Sequence, residues 1–183
     1  MYLTYILPFL ESVFGSQVSE IFAQILFIIS VPFSNHDILW TVFPLITTTI
    51  IIELYFGSHK EESLGWNSAT ANGLVLVYVG INIVKDLIDS GAFNTNLFES
   101  QIALGILSMG GLLVFISFFH ILPKEFAFVI SSGLVVHYLA FLGVVFIYTG
   151  MVYTEITSYA AILIFLALVL FFNVMKRIEP DLD

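Results

Sequence analysis

Cysteine is absent from the 183-residue chain, and basic residues are scarce. Without cysteine, the protein has no disulfide bond, no thiolate nucleophile and no cysteine-ligated metal. Five Lys and Arg residues stand against 14 Asp and Glu residues, which gives a formal net charge of −9 at pH 7. This balance argues against binding to nucleic acid and against a polybasic attachment to anionic lipid, because both require a basic surface.

Charged residues of either sign are also few, since they make up 10% of the chain, whereas hydrophobic residues make up 59%. Ordinary soluble domains contain only about 45–50% apolar residues. The composition therefore predicts an integral membrane protein. The N-terminus lacks the positively charged region of a signal peptide, so we expect it to be retained in the mature protein.

Short catalytic motifs are missing as well. The chain contains no GxSxG nucleophile turn, no phosphate-binding glycine loop and no HExxH zinc motif. The absence of these motifs favours a protein that is not an enzyme and that needs no cofactor. An intramembrane active site assembled from distant residues stays open as an alternative.

Long apolar runs are what the chain does contain. A helix needs about 20 apolar residues to cross a bilayer, and five runs reach that length: residues 37–56, 68–88, 100–122, 126–148 and 155–175. We predict an all-α, polytopic transmembrane helical bundle that forms a single integral membrane domain over residues 1–183. The N-terminal segment 1–32 contains Pro8 and a shorter apolar part, so a spanning, a re-entrant and an interfacial arrangement all stay open.

The few basic residues predict the orientation of the bundle. Five alternating spans place Lys60, Lys124, Lys176 and Arg177 on the same side of the membrane. The positive-inside rule makes that side cytoplasmic. We therefore predict a multi-pass protein of the cell membrane with a cytoplasmic C-terminus and an acidic outer face.

His137 is the histidine near the middle of the predicted span 126–148. Ionisable side chains at this depth often mark a transport pathway, although a single hydrogen bond to a neighbouring helix also satisfies a neutral histidine. By depth, the candidate partners of His137 are Tyr78 and the hydroxyl groups of Thr47 to Thr49.

A polar stripe runs along the span 68–88. At helical spacing, Asn72, Asn82 and Asp86 fall within an arc of about 80° on one face. Together with His137 and Tyr78, they form a candidate transport pathway. The alternative is that these side chains make hydrogen bonds between packed helices.

A second group of polar residues is predicted at the cytoplasmic ends of the spans: Glu53, His59, His120, Lys124 and Glu125. Carboxylate and imidazole groups are ligands for zinc and iron, but their spacing follows no metal motif. We therefore predict no metal site here and expect Glu53 to pair with Lys60 or Lys124.

Small residues recur on the predicted spans, at Ala69, Gly73 and Gly80 and at Gly105, Ser108, Gly110 and Gly111. With 19 Phe residues in the chain, these faces favour close helix association. The leading hypothesis is therefore a non-enzymatic structural or accessory subunit of a membrane assembly. Its expected partners are the lipid bilayer and other membrane proteins or further copies of the chain.

Two other functions are consistent with the sequence. The first is a channel or transporter for protons or small cations that uses His137 and the polar stripe. The second, weaker alternative is a metal-dependent intramembrane enzyme that uses Glu53 and His120.

Overall fold

The structure is a computed structural model that describes residues 15–59 and 65–180. Within these ranges the regular structure is helical, without β-strands. The helices are α1 (Ser16–Ser34), α2 (His36–Ser58), α3 (Trp66–Asp89), α4 (Leu97–Phe119), α5 (Lys124–Ile130), α6 (Gly133–Thr149) and α7 (Glu155–Ile178). A short 3-10 helix, Ala92–Asn94, lies between α3 and α4. The inferences drawn on Pro8 and Lys60 fall outside the described residues.

Among the described residues, six helical stretches are long and apolar enough to cross a membrane. They are α1, α2, α3, α4, α7, and α5 together with α6. The all-helical fold is thus confirmed, and the five predicted spans all fall on such stretches. In the described part of the predicted N-terminal segment, α1 is one helix of 19 residues, which is the length that a spanning arrangement requires.

Helix α1 packs against the C-terminal part of the bundle. Its buried Ile28 lies in one apolar cluster with Tyr138, Ala160 and Ile164. The side-chain amide of Gln24 also donates to the sulfur of Met151, at 2.6 Å, in the loop between α6 and α7. The N-terminal helix is therefore held by both α6 and α7.

Helices α3 and α4 approach each other closely because both present glycine at their contact. A Cβ atom added to Gly110 would lie 2.6 Å from the backbone nitrogen of Val77, and one added to Gly80 would lie 2.8 Å from the Cα atom of Leu107. No larger residue fits at these two positions without moving backbone. The predicted small-residue packing is thus present in this pair.

The predicted span 126–148 is not one continuous helix. It starts at Lys124 and breaks at Ser131 and Ser132, so that α5 ends at Ile130 and α6 starts at Gly133. Serine side chains compete with the backbone for hydrogen bonds, and the hydroxyl of Ser132 accepts from the backbone nitrogen of Val135 at 3.4 Å. This break corrects the prediction of an uninterrupted helix.

The main apolar core lies between α2, α3, α4 and α6, and includes Val42, Leu76, Ile83, Val136 and Val144. Many large apolar side chains remain exposed on the outside of the bundle, as for Phe118, which is 68% exposed, and Leu170, which is 66% exposed. Such an exterior is suited to contact with lipid chains.

Candidate functional site

The helix break places a polar cluster inside the bundle. Asn72 of α3 is buried, and its Nδ2 donates to the carbonyl oxygen of Ser131 at 2.8 Å. The hydroxyl groups of Ser117 on α4 and Ser131 lie 3.5 Å apart. Within a membrane, backbone groups that leave a helical ladder need partners inside the protein. Asn72 supplies that partner. Its side-chain amide, which was predicted as part of a transport pathway, hydrogen-bonds to the backbone at the point where the helix is broken.

His137 lies on α6, about one helical turn beyond the break, and is 2% exposed. Its Nδ1 lies 2.8 Å from the hydroxyl oxygen of Thr49 on α2, and that hydroxyl donates to the carbonyl oxygen of Leu45, also at 2.8 Å. The single hydroxyl proton of Thr49 bonds either to this carbonyl oxygen or to Nδ1, and the tautomer of a neutral His137 follows from which of the two it bonds.

Nε2 of His137 is buried and has no hydrogen-bond partner in the part of the chain that the structure describes. The sequence-based inference that His137 bonds to one of the hydroxyls of Thr47 to Thr49 agrees with the Thr49 contact. Tyr78, the other predicted partner, is 68% exposed on the outside of α3. Depth along the helix therefore identified Thr49 as a partner of His137. Depth alone does not show that Tyr78 faces away from the bundle.

The polar stripe of α3 is divided by apolar packing. Asn72 is buried and Asn82 is half-buried, but Asp86 is exposed and accepts a hydrogen bond from the hydroxyl of Tyr148. Val79, which lies in the same arc, and Ile83, which lies about 20° beyond it, are buried in the core between Asn72 and Asp86. The described residues thus place Asn72 beside the helix break and Asp86 at the far end of α3.

The polar residues predicted at the cytoplasmic side have separate neighbours. His59 stacks on Tyr55 with ring centroids 4.4 Å apart, and His120 stacks on Trp66 at 4.2 Å. Glu125 is exposed. No group of three His, Asp or Glu side chains suited to a metal ion occurs among the described residues.

Glu53 pairs with a lysine that was not predicted, while Lys60, one of the two predicted partners, lies outside the described residues. Glu53 is buried, and its Oε2 lies 2.6 Å from Nζ of Lys176 near the end of α7. Nζ of Lys124 instead lies 5.5 Å from the ring centroid of Phe128. The salt bridge joins α2 to α7 because these helices lie side by side, a neighbour relation that sequence spacing does not reveal.

A cavity of about 350 Å³ lies between α1, α2, α6 and α7. Its described walls are almost entirely aliphatic and aromatic, and its polar side chains are Thr49, His137 and Tyr138. The hydroxyl of Tyr138 donates to the carbonyl oxygen of Ala161 at 2.6 Å and is therefore already used. We call this space the His137 cavity. No sequence signal marked it, because its walls come from four helices and have the composition of lipid-facing surface.

Comparison of the chain with protein-family models, with curated proteins and with solved structures gives no match. The function is therefore inferred from the geometry of the described residues.

Proposed function

We propose that this integral membrane protein is non-enzymatic and acts as a structural or accessory subunit of a membrane assembly. The observation that supports the proposal is that α4 has two faces of small residues. Gly110 lies on the inward face, against α3, whereas Gly105, Ser108 and Gly111 lie on the other side of the helix. At about 3.6 residues per turn, Ser108 is about 160° away from Gly110.

The outward face of α4 has room for a second helix. Cβ atoms added to Gly105 or Gly111 would meet no other described atom within 4 Å, whereas one added to Gly110 would lie 2.6 Å from the backbone of Val77. Ser108 is exposed, and its hydroxyl donates to the carbonyl oxygen of Leu104 at 2.7 Å. Small residues, which bring α3 against α4, thus also occur on a face of α4 that the described residues leave open.

Small residues have a particular value for association inside a bilayer. Lipid tails are as apolar as leucine, so the hydrophobic effect gives little drive for helices to associate, and close backbone packing contributes instead. A helix of another membrane protein, or of a second copy, would reach Gly105 and Gly111 as closely as α3 reaches Gly110. We define these two glycines and Ser108 as the outward α4 face.

Filling the outward α4 face is expected to abolish association while the bundle itself stays folded. The test replaces both glycines, Gly105→Leu and Gly111→Leu, because each has open space around it. Native mass spectrometry of protein extracted in mild detergent, together with crosslinking in intact membranes, measures the partner-bound fraction. We expect the wild type to form a complex and the double variant to be monomeric.

Ala167→Leu is the matched control, because it also enlarges a small exposed residue but lies on α7. It should leave the complex intact. A wild-type chain that is monomeric and partner-free by both methods would contradict the proposal, as would equal loss of complex in the control.

Transport of protons or small cations is the second candidate function. The broken helix favours it, because transporters commonly build substrate sites at discontinuous transmembrane helices. Here the break lies beside the buried polar side chains of Asn72 and His137.

Flux measurements in proteoliposomes test this alternative. If the protein transports, ion flux should exceed that of empty liposomes, and His137→Ala, Asn72→Leu and Asn82→Leu should each abolish it. Tyr78→Phe is the control, since Tyr78 is exposed on the outside of α3 and its hydroxyl should not matter. Flux equal to that of empty liposomes removes this candidate.

A further inference from the structure

We propose that a second cavity, between the N-terminal end of α4 and the C-terminal end of α6, binds a quaternary ammonium group through the carboxylate of Glu99 and aromatic rings. This Glu99 cavity has a volume of about 260 Å³. Gly105, Ser108 and Gly111 do not line it, so the proposal does not depend on the proposed subunit role.

The carboxylate of Glu99 determines the charge of the cavity, because no other described lining residue has a charged side chain. Its Oε2 accepts a hydrogen bond from Nδ2 of Asn96 at 3.1 Å. Its Oε1 reaches toward the α6 side of the cavity, where it lies 4.0 Å from the position that a Cβ atom on Gly150 would take. Among the described residues, no ion pair neutralises Glu99. The cavity is therefore negatively charged.

The two helix ends at the cavity favour the same arrangement of charge. Glu99 lies in the first turn of α4, where the helix dipole stabilises a carboxylate. Helix α6 ends at Thr149, with Gly150 as its left-handed cap, and the C-terminal end of a helix carries a partial negative charge that attracts cations. A cation in the cavity would thus lie between a carboxylate and the negative end of α6.

The aromatic walls indicate which kind of cation fits. Phe98, Phe146 and Tyr153 line the cavity, and the ring centroids of Phe146 and Tyr153 lie 6.4 Å apart. Aromatic rings attract cations, and cages of such rings recognise quaternary ammonium groups. Calcium instead takes six to eight oxygen ligands, whereas the described walls supply one carboxylate. An organic cation is therefore the better match.

The cavity is open to the surface of the bundle, because Tyr153 is 62% exposed and Phe98 is 52% exposed. The ends of spanning helices lie at the level of the lipid head groups. A quaternary ammonium group can thus reach the cavity on a small molecule in water or on the head group of phosphatidylcholine.

Scintillation proximity binding of tritiated choline tests recognition of the ammonium group. The assay uses the full-length protein in a maltoside detergent, which carries no ammonium group, at constant ionic strength. 3,3-Dimethylbutanol is the matched competitor, because it has the shape of choline with a neutral carbon in place of the nitrogen. We expect it to compete at least about tenfold more weakly than unlabelled choline, since it lacks the charge.

Two variants separate the contribution of the carboxylate from that of the rings. Glu99→Gln should weaken choline binding by about fivefold, whereas Glu155→Gln, at an exposed acid outside the cavity, should not change it. Tyr153→Leu should weaken binding by about two- to fivefold. Tyr159→Leu is its control, because Tyr159 is 52% exposed and does not line the cavity.

A lipid arm identifies the source of the ammonium group. The protein is placed in phosphatidylglycerol nanodiscs that contain a little phosphatidylcholine with a diazirine near its head group. Labelling of residues 98–102 and 146–153 that Glu99→Gln lowers would indicate the lipid, and choline binding without such labelling would indicate a small molecule.

Other results overturn the proposal. Equal competition by choline and 3,3-dimethylbutanol would show that the charge is not recognised, and equal binding by the wild type and Glu99→Gln would show that the carboxylate takes no part. The absence of both choline binding and Glu99-dependent labelling would show that the cavity binds no quaternary ammonium group. Complex formation through the outward α4 face should be unchanged in Glu99→Gln, so the two proposals can fail separately.

Discussion

Replacing Lys176 with methionine is expected to destabilise the folded protein by about 1–3 kcal/mol, less than for a fully buried pair because the Lys176 side chain is 35% exposed. Glu53 is 8% exposed, and Nζ of Lys176 lies 2.6 Å from its carboxylate. Removal of the ammonium group leaves a carboxylate that is largely shielded from water and has lost its counter-charge. The cost comes from this uncompensated charge and not from the attraction alone, because a buried ion pair contributes little net stability against an apolar replacement.

Unfolding in detergent with increasing denaturant measures the effect. The double variant Glu53→Gln and Lys176→Met should recover most of the lost stability, because it removes the unpaired charge as well. Lys85→Met is the matched control: Lys85 lies 3.7 Å from Asp89, and both side chains are mostly exposed. That substitution should cost less than about 1 kcal/mol. Equal losses for Lys176→Met and Lys85→Met would show that the Glu53 pair is not effectively buried.

Replacing Gly110 with alanine is expected to separate α3 from α4 and to cost about 1–3 kcal/mol or more. The added Cβ atom would lie 2.6 Å from the backbone nitrogen of Val77 and 3.0 Å from the carbonyl carbon of Leu76. Both are backbone atoms, so no side-chain rotation relieves the contact. One helix must move, and the neighbouring contact at Gly80 is then loosened too.

Gly111→Ala is the control at the adjacent position, where an added Cβ atom meets nothing described within 4 Å. It should be neutral or stabilise the protein by about 0.5–1 kcal/mol, since alanine is the better helix former. The same unfolding assay therefore compares two neighbouring substitutions of opposite expected sign. Similar destabilisation by both would show that the short distance between α3 and α4 at Gly110 does not set the cost, whereas stabilisation by both would mean that helix propensity governs this region.

The two glycine experiments also serve the functional proposals. Gly110 supports the fold, while Gly105 and Gly111 lie on the outward α4 face, which contacts no described residue at their Cβ positions. A variant that loses its partner but keeps wild-type stability therefore reports on association. The Lys176→Met and Gly110→Ala variants provide the comparison, because they should lower the stability of the fold without changing the outward α4 face.

Several features could be inferred from the sequence because they depend on local composition. The length and apolar content of a run determine whether a helix can cross a bilayer, so the helical class and the five predicted stretches follow from the chain itself. The Thr49 contact of His137 agrees with one of the two kinds of partner named from depth along the helices. These quantities need no knowledge of which helices are neighbours.

The break at Ser131 and Ser132 could be inferred from the sequence only in part. Consecutive serines followed by Gly133 weaken a helix locally, but apolar content alone suggested a continuous span. Asn72 on another helix supplies the partner for the carbonyl oxygen of Ser131. The sequence contained the weakness, while the compensating hydrogen bond depends on the packing of α3 against α5 and α6.

Amino-acid composition and spacing by themselves determined that this protein is a helical membrane protein with few buried polar groups. Only the tertiary structure decided that Glu53 pairs with Lys176, that Tyr78 faces outward, and that four helices line the His137 cavity. The physical reason is that a helix face is defined by the chain's own periodicity, whereas its partner is selected by close packing among all helices. Apolar side chains look alike in sequence whether they meet lipid, another helix or a cavity.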